Sequence, residues 1–166
     1  TDQGNSWTVI SPDLTRNEAD KHGPGGKPFT NEAAGGENYN TLMSLIESPH
    51  EQGVIWAGSD DGLVHVTRDG GANWKNVTPA DMKEGIVNSI EVSPHDKGTA
   101  YISANRFKFN DLRALSFKTT NYGKSWTIIN DGIDKEDFLR VIREDTKAPG
   151  LLYGGAERGF YISMNG

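Results

Sequence analysis

The chain has 166 residues, about one domain's worth, no cysteine, and a net charge of −6 from 17 Lys and Arg against 23 Asp and Glu. That balance argues against a nucleic-acid binder, which needs a basic face, and the lack of cysteine excludes a disulfide framework, a thiolate metal site and a Cys nucleophile. Glycine is the outlier at 20 residues, about 12% against a usual ~7% and without the period of collagen, which points to many tight turns; no apolar run nears the ~18 residues of a membrane span, and the first residues hold no hydrophobic signal core.

Taken in chain order, the sequence opens on Asp2-Gln3-Gly4-Asn5-Ser6-Trp7, and 7–10 reads as a strand. Residues 11–40, rich in Gly, Pro and Asn, read as an irregular loop. A round of β-rich segments follows at 41–47, 54–58, 63–67 and 74–78, each bounded by Gly, Pro or Asp. A second round occupies 87–92, 99–103, 114–119 and 126–129, and a third 139–143, 151–155 and 160–163. The expected organisation is therefore a fourth strand at 7–10, a connecting loop at 11–40, repeats at 41–78 and 86–130, and part of a repeat at 138–166. The strands add up to twelve, three four-stranded units' worth, with almost no helix.

Each round carries the same eight-residue frame: Ser or Thr, one residue, Asp or Asn, one residue, Gly, two residues, Trp. It appears as Thr67, Asp69, Gly71 and Trp74, and as Thr119, Asn121, Gly123 and Trp126. The chain begins inside the frame at Asp2, Gly4 and Trp7 and stops inside it at Ser163 and Asn165, so that the Asx positions are spaced by 67, 52 and 44 residues. A short Asx side chain accepts bonds from backbone N–H groups just ahead of it, Gly tolerates positive φ, and a Trp after the turn folds back over it. The frame is thus expected to be a self-fastened hairpin turn between a third and a fourth strand, with Asp69 and Asn121 structural and the two Trp rings buried beside their own turns. His50 and His95 recur in the turns after each first strand, but each belongs to its own repeat and the two are expected to lie apart; no other grouping has ligand spacing, so no metal or cofactor is expected.

These frames resemble the Asp-box, or bacterial neuraminidase repeat, of sialidases, sortilin-type propellers and xyloglucan-hydrolysing enzymes. Together with Ile10-Ser11-Pro12-Asp13, Gly62-Leu63-Val64-His65 and Arg140-Val141-Ile142-Arg143, they are most similar to the bacterial sortilin-like, glycosyl-hydrolase-like family. The resemblance implies an all-β fold, part of a β-propeller of four-stranded blades, and an extracellular, periplasmic or cell-surface location. It also implies a ligand face opposite the frames, made by the loops between second and third strands and between blades. On that face the implied ligand-binding residues are Asp61, Asn105, Arg106, Phe107, Lys108, Arg113 and Arg158. In the xyloglucan-hydrolysing enzymes, Thr/Ser-Asp-x-Gly at the position of Ser59-Asp60-Asp61-Gly62 supplies a catalytic carboxylate, so Asp60 paired with Glu157 is the implied catalytic pair. Such a pair works as acid and base when the carboxyl groups stand roughly 6.5 to 9.5 Å apart.

Two functions of different class follow. The favoured one is a ligand-binding or scaffold propeller that recognises peptide, protein or glycan on its loop face; the alternative is part of a glycoside hydrolase. Two routes complete a ring of four to eight blades: further blades in a longer chain, which is the favoured expectation because both ends fall inside a frame, or a second copy of this chain.

Overall fold

The computed structural model describes residues 4–21 and 39–166. Runs of β-branched, aromatic and small residues between glycine-bearing turns fold here into three antiparallel sheets, whose strands are joined in chain order by hairpins. Sheet one holds β1 (Leu42–Glu47), β2 (Ile55–Ser59), β3 (Val64–Thr67) and β4 (Trp74–Asn76). Sheet two holds β5 (Ile86–Val92), β6 (Ala100–Arg106), β7 (Asp111–Thr119) and β8 (Thr127–Ile128), and sheet three β9 (Leu139–Glu144), β10 (Leu152–Ala156) and β11 (Phe160–Ser163). Among the described residues, helix is confined to two single 3₁₀ turns at Ala19–Lys21 and Phe107–Phe109, and none is long and apolar enough to cross a membrane.

The sheets stack face to face in chain order, β1 against β5 and β5 against β9. A large apolar cluster joins sheets one and two, centred on Trp56, Val64, Val66, Val87, Ile102 and Phe117, with Trp126 set edge-on to Trp56 at 6.1 Å. A smaller one joins sheets two and three through Tyr101, Leu139, Ile142 and Leu152. Sheet two is covered on both sides, which is why β6 is buried at six of its seven positions. Polar clasps repeat across both junctions. The Ile90 N–H donates to Ser44 Oγ at 3.0 Å and the Ile142 N–H to Ser89 Oγ at 3.4 Å. His50 Nε2 donates to the Ser93 carbonyl at 3.0 Å and His95 Nε2 to the Asp145 carbonyl at 2.7 Å, a carbonyl partner that fixes the proton on Nε2. Each recurring histidine thus ties its turn to the next sheet.

The frames form the expected turns between third and fourth strands. Thr67 Oγ1 donates to Asp69 Oδ1 at 2.8 Å and accepts from the Gly71 N–H at 3.0 Å, while Asp69 takes the Asn73 N–H at 2.8 Å. In the next sheet Thr119 Oγ1 donates to Asn121 Oδ1 at 3.0 Å and accepts from Gly123 at 2.9 Å, and Asn121 takes the Ser125 N–H at 3.0 Å. The expectation for the tryptophans is corrected: both are only partly buried, and each indole reaches backward to the preceding unit instead of closing over its own turn. Trp74 Nε1 donates to the Ile10 carbonyl at 2.8 Å and Trp126 Nε1 to the Val77 carbonyl at 2.7 Å. The frame glycines make that docking possible, since a Cβ on Gly71 would sit 2.4 Å from the Ile10 oxygen and one on Gly123 2.7 Å from Val77 Cβ, both at positive φ.

Two other expectations change. Residues 7–10 have no regular secondary structure and pair with no strand among the described residues, so they form no ladder; Trp7 and Val9 are 91% and 89% exposed. Their place is nonetheless that of a fourth strand, because Ile10 stands three residues after its Trp, as Val77 does, and holds the next indole as Val77 does. The stretch left between the strands expected at 99–103 and 114–119 is a tight hairpin tip. β6 runs through Arg106, one 3₁₀ turn follows, Asn110 adopts a left-handed conformation with its N–H on the Phe107 carbonyl, and β7 restarts at Asp111 opposite Arg106. Of the frame residues, Asp2 lies outside the described residues.

Candidate functional site

The three sheets share two rims. On one, each frame is bonded to the turn between first and second strands, Gly70 N–H to the Gly53 carbonyl and Tyr122 N–H to the Gly98 carbonyl, both at 2.9 Å. The other rim carries the turns between second and third strands and the connections between sheets.

On this second rim, Asp60, Asn105 and Glu157 occupy one place in three sheets. The Asp60 N–H donates to the Thr41 carbonyl at 2.9 Å and the Glu157 N–H to the Phe138 carbonyl at 3.1 Å, and Asn105 pairs with Ile86 at the same register. Their surroundings differ. Asp60 is partly buried, accepts the Thr41 N–H at 2.9 Å, and has its carboxyl pushed up chiefly by desolvation, with the Asp61 charge adding and the Lys108 charge opposing. Asn105 is fully buried and donates to Asn88 Oδ1 at 2.7 Å. Glu157 is exposed and pairs with Arg140 at 2.8 Å. Asp60 and Glu157 stand on sheets one and three, with sheet two between them.

The neighbouring candidates separate into anchors and exposed groups. Asp61 is completely buried: its carboxylate accepts from the Ser59 hydroxyl and from the Arg16 N–H at 2.6 Å, and its carbonyl takes Arg16 Nε at 2.8 Å. The role assigned to Asp61 by sequence is therefore corrected from ligand contact to positioning, because no oxygen of a buried, fully bonded carboxylate faces a ligand. Asn105 is corrected likewise. Arg106 and Arg113 both bond Asp111, each at 2.8 Å, and their hydrogen bonds hold the Asp111 carboxyl well below the usual carboxylate range. Arg106 also stacks on Phe109 at 4.9 Å, whereas Arg113 is 68% exposed along its side chain. Arg158 is exposed, with its N–H on Asp137 Oδ1 at 2.9 Å. An open cleft of about 680 Å³ runs from Arg106, Asp111 and Arg113 to Ile128, Ile133 and Lys135.

A β-bulge builds the centre of this rim. In every sheet the register of the first strand slips by one residue at the same place, leaving Met43, Asn88 and Arg140 unpaired. A bulge re-aims the side chain it carries. Asn88 turns to bond Asn105 and, through Nδ2, the Leu139 carbonyl at 3.1 Å. Arg140 turns over two rings, Phe138 at 4.9 Å and Phe107 at 5.4 Å, while bonding Glu157. Phe107 lies on Phe138 with centroids 5.9 Å apart and planes within 13°. The hairpin tip of sheet two is thereby fixed to sheet three, with Phe107 still 38% exposed. Sequence reasoning placed Phe107 and Glu157 on this rim but missed Phe138 and Arg140, whose only signals are the alignment of Arg140 with Asn88 and of Phe138 with Ile86 in the repeat.

Beside Asp61, a second cluster was also missed. Lys21 Nζ bonds Glu18, and Glu84 at 2.7 Å, and the buried Tyr39 hydroxyl donates to Glu84. Burial, reinforced by Glu84, pushes the Tyr39 phenol far up and keeps it protonated. The donors and acceptors are mutually satisfied, so the cluster joins Lys21 and Tyr39 to the Glu84 connection. No group of three or more His, Cys, Asp or Glu among the described residues is arranged to hold a metal ion.

No family model matches the sequence, and no curated protein matches it. Solved structures do. An ancestral GH74 enzyme is 18% identical over 76% of this chain and 18% of its own, with a TM-score of 0.57. The GH74 enzyme of Niastella koreensis is 15% identical over 77% and 22%, with a TM-score of 0.59. YCF48 bound to D1 peptide is 19% identical over 75% and 38%, with a TM-score of 0.58. The chain spans about a fifth to two fifths of these proteins. At such identities the likeness establishes a β-propeller-like fold in the three stacked sheets.

Proposed function

We propose that the chain is a ligand-binding segment of an exported, Asp-box propeller of the bacterial sortilin-like type, recognising a peptide or protein, or a glycan, on the rim opposite the frames. The observation that carries this reading is the platform of Phe107, Phe138 and Arg140. An exposed ring is held flat by a second ring and a guanidinium, and the exposed Arg113 stands on the same hairpin. Flat apolar area flanked by cations suits an aromatic or sugar ring with a carboxylate beside it. That one of the similar structures holds a D1 peptide supports the peptide side of the proposal. The test is titration with peptide and oligosaccharide panels. Binding that Phe107→Ala and Arg140→Ala each weaken, while the protein stays folded with only about 1 kcal/mol lost from the stacked pair, is the expected result; binding indifferent to both contradicts the proposal.

A second reading, glycoside hydrolysis, rests on Asp60, whose carboxyl is shifted by burial in the direction a general acid needs. Similar structures include GH74 enzymes, one of them a xyloglucanase from Xanthomonas campestris. Weighing against it, the partner proposed from sequence, Glu157, is tied to Arg140 two sheets away. Release of sugar from xyloglucan that Asp60→Asn abolishes is the outcome that favours it.

A further inference from the structure

The two sheet junctions are built from matching rows. In sheet one Ile46, Trp56 and Val66 stand side by side across β1, β2 and β3, and Val92 of β5 closes on them in one apolar cluster. At the next junction the same row holds Glu91, Tyr101 and Lys118 across β5, β6 and β7, with Glu144 of β9 in the place of Val92. Val92 and Glu144 correspond because each precedes the residue whose N–H closes the turn between first and second strands, Ser93 bonding Thr99 and Asp145 bonding Leu151. Apolar places are thus taken, on one backbone, by two carboxyls, a phenol and an ammonium. An apolar row holds sheets together at no electrostatic cost, whereas buried charges cost more than their attraction returns unless donors and acceptors are matched.

Here they are not matched. Glu144 is 6% exposed; its Oε1 accepts the Gly150 N–H at 2.8 Å, but its enclosed Oε2 bonds nothing among the described residues. Glu91, with 14% of its side chain exposed, has Arg143 at 3.3 Å, yet burial pushes its carboxyl up and the Glu144 charge adds to the rise. Tyr101 is held protonated by burial and by the same charge, with Asp96 in the neighbouring turn reinforcing it. Neither cation discharges Glu144. Arg143 is half in solvent and turned to Glu91 and the Ile142 carbonyl, and Lys118 Nζ lies over the Tyr101 ring at 5.6 Å. His95 crosses the same junction, but its Nε2 proton stays on the Asp145 carbonyl in either charge state, so its titration leaves that tie in place. What the row lacks is one donor for Glu144 Oε2 and one negative charge fewer, and a single proton supplies both.

We propose that Glu91 and Glu144 form a proton-operated clasp between sheets two and three, which takes up one shared proton on mild acidification and tightens the junction. Two carboxyls in one site bind the first proton more firmly than either alone. The fold therefore carries more protons than the unfolded chain between the folded and unfolded values; the repulsion is present in full above the folded value and relieved as pH falls through it. β9 begins beside Phe138, carries Arg140 and ends at Glu144, so the strand seated by the clasp is the one that bears the platform. The clasp itself is independent of the ligand-face reading.

Carbon-13 NMR titration of the glutamate carboxyls in the intact chain, in Glu144→Gln and in Glu91→Gln tests it. In the parent, Glu91 and Glu144 should titrate together, with the first proton bound above the ordinary glutamate range. In Glu144→Gln the amide offers Glu91 a donor in place of a rival charge, and the Glu91 midpoint should fall by about one pH unit, tenfold in proton affinity. Glu91→Gln should lower the midpoint of Glu144 in the same way. Glu144→Gln should also raise the thermal midpoint at pH 7 and lose that advantage by pH 4. A Glu91 midpoint that is the same in the parent and in Glu144→Gln overturns the proposal, and so does a thermal advantage equal at both pH values. A rise in the thermal midpoint on adding calcium at pH 7, abolished by Glu144→Gln, would make the pair a cation site and overturns it as well.

Discussion

The two rims use the same residue types to opposite ends. On the frame rim, Asp69 and Asn121 accept the same bonds from the same positions, and Thr67 and Thr119 repeat one another atom for atom. On the loop rim, the three equivalent positions hold a partly buried carboxyl, a buried amide and an ion-paired carboxylate, each with different partners. A feature repeated in each sheet answers a need that each sheet has, which is closing a hairpin and docking on its neighbour. A position that changes from sheet to sheet while the backbone stays the same is released from that need, and the loop rim is where such positions gather.

The sharpest way to break this comparison is to strike the frame rim where it is tightest. Gly123→Ala places a Cβ 2.7 Å from Val77 Cβ at a φ of +77°. Left-handed strain of ~1–2 kcal/mol and overpacking of ~1–3 kcal/mol predict a loss of about 2–5 kcal/mol in urea unfolding. Thr119→Val, which strips the buried Gly123 N–H of its acceptor, should cost about 1–3 kcal/mol. Neither should alter the affinity of the folded protein for a loop-rim ligand. On the loop rim the pattern should invert. Phe107→Ala gives up a stacked pair worth about 1 kcal/mol, and its main effect should appear as weaker binding in titration.

Asp60 gives a pH-dependent contrast. Its carboxyl is raised in the fold, so the fold carries more protons than the unfolded chain between the two values, and the cost of its buried charge is present above the folded value and relieved as pH falls through it. Asp60→Asn should therefore raise the unfolding midpoint at pH 7 and lose that advantage by pH 3. An equal gain at both values would show that burial of charge is not the cause.

Much of the frame rim was legible because its bonds are local. Thr67, Asp69, Gly71 and Asn73 lie within seven residues, so their spacing alone states the turn. What Trp74 does was not legible, since its partner Ile10 is 64 residues away and enters through sheet stacking. The loop rim hid more. Nothing near Arg140 in sequence announces a bulge, and the burial of Asn105 against the exposure of Glu157 depends on sheet two having neighbours on both sides. The hairpin tip fell outside the strands expected at 99–103 and 114–119 because its closing pair, Arg106 and Asp111, looks like surface charge until the register brings the two together.

The central claim, that recognition belongs to the loop rim and the frame rim is scaffold, is tested most directly by mapping amide chemical shifts. The isotope-labelled chain would be titrated with xyloglucan oligosaccharides, sialosides and a peptide library. The account predicts that shifts induced by any binder gather at Asp60, Phe107, Arg113, Arg140, Glu157 and Arg158 and spare the frames. Shifts centred on Asp69, Trp74 and Asn121, with the loop rim silent, would contradict it.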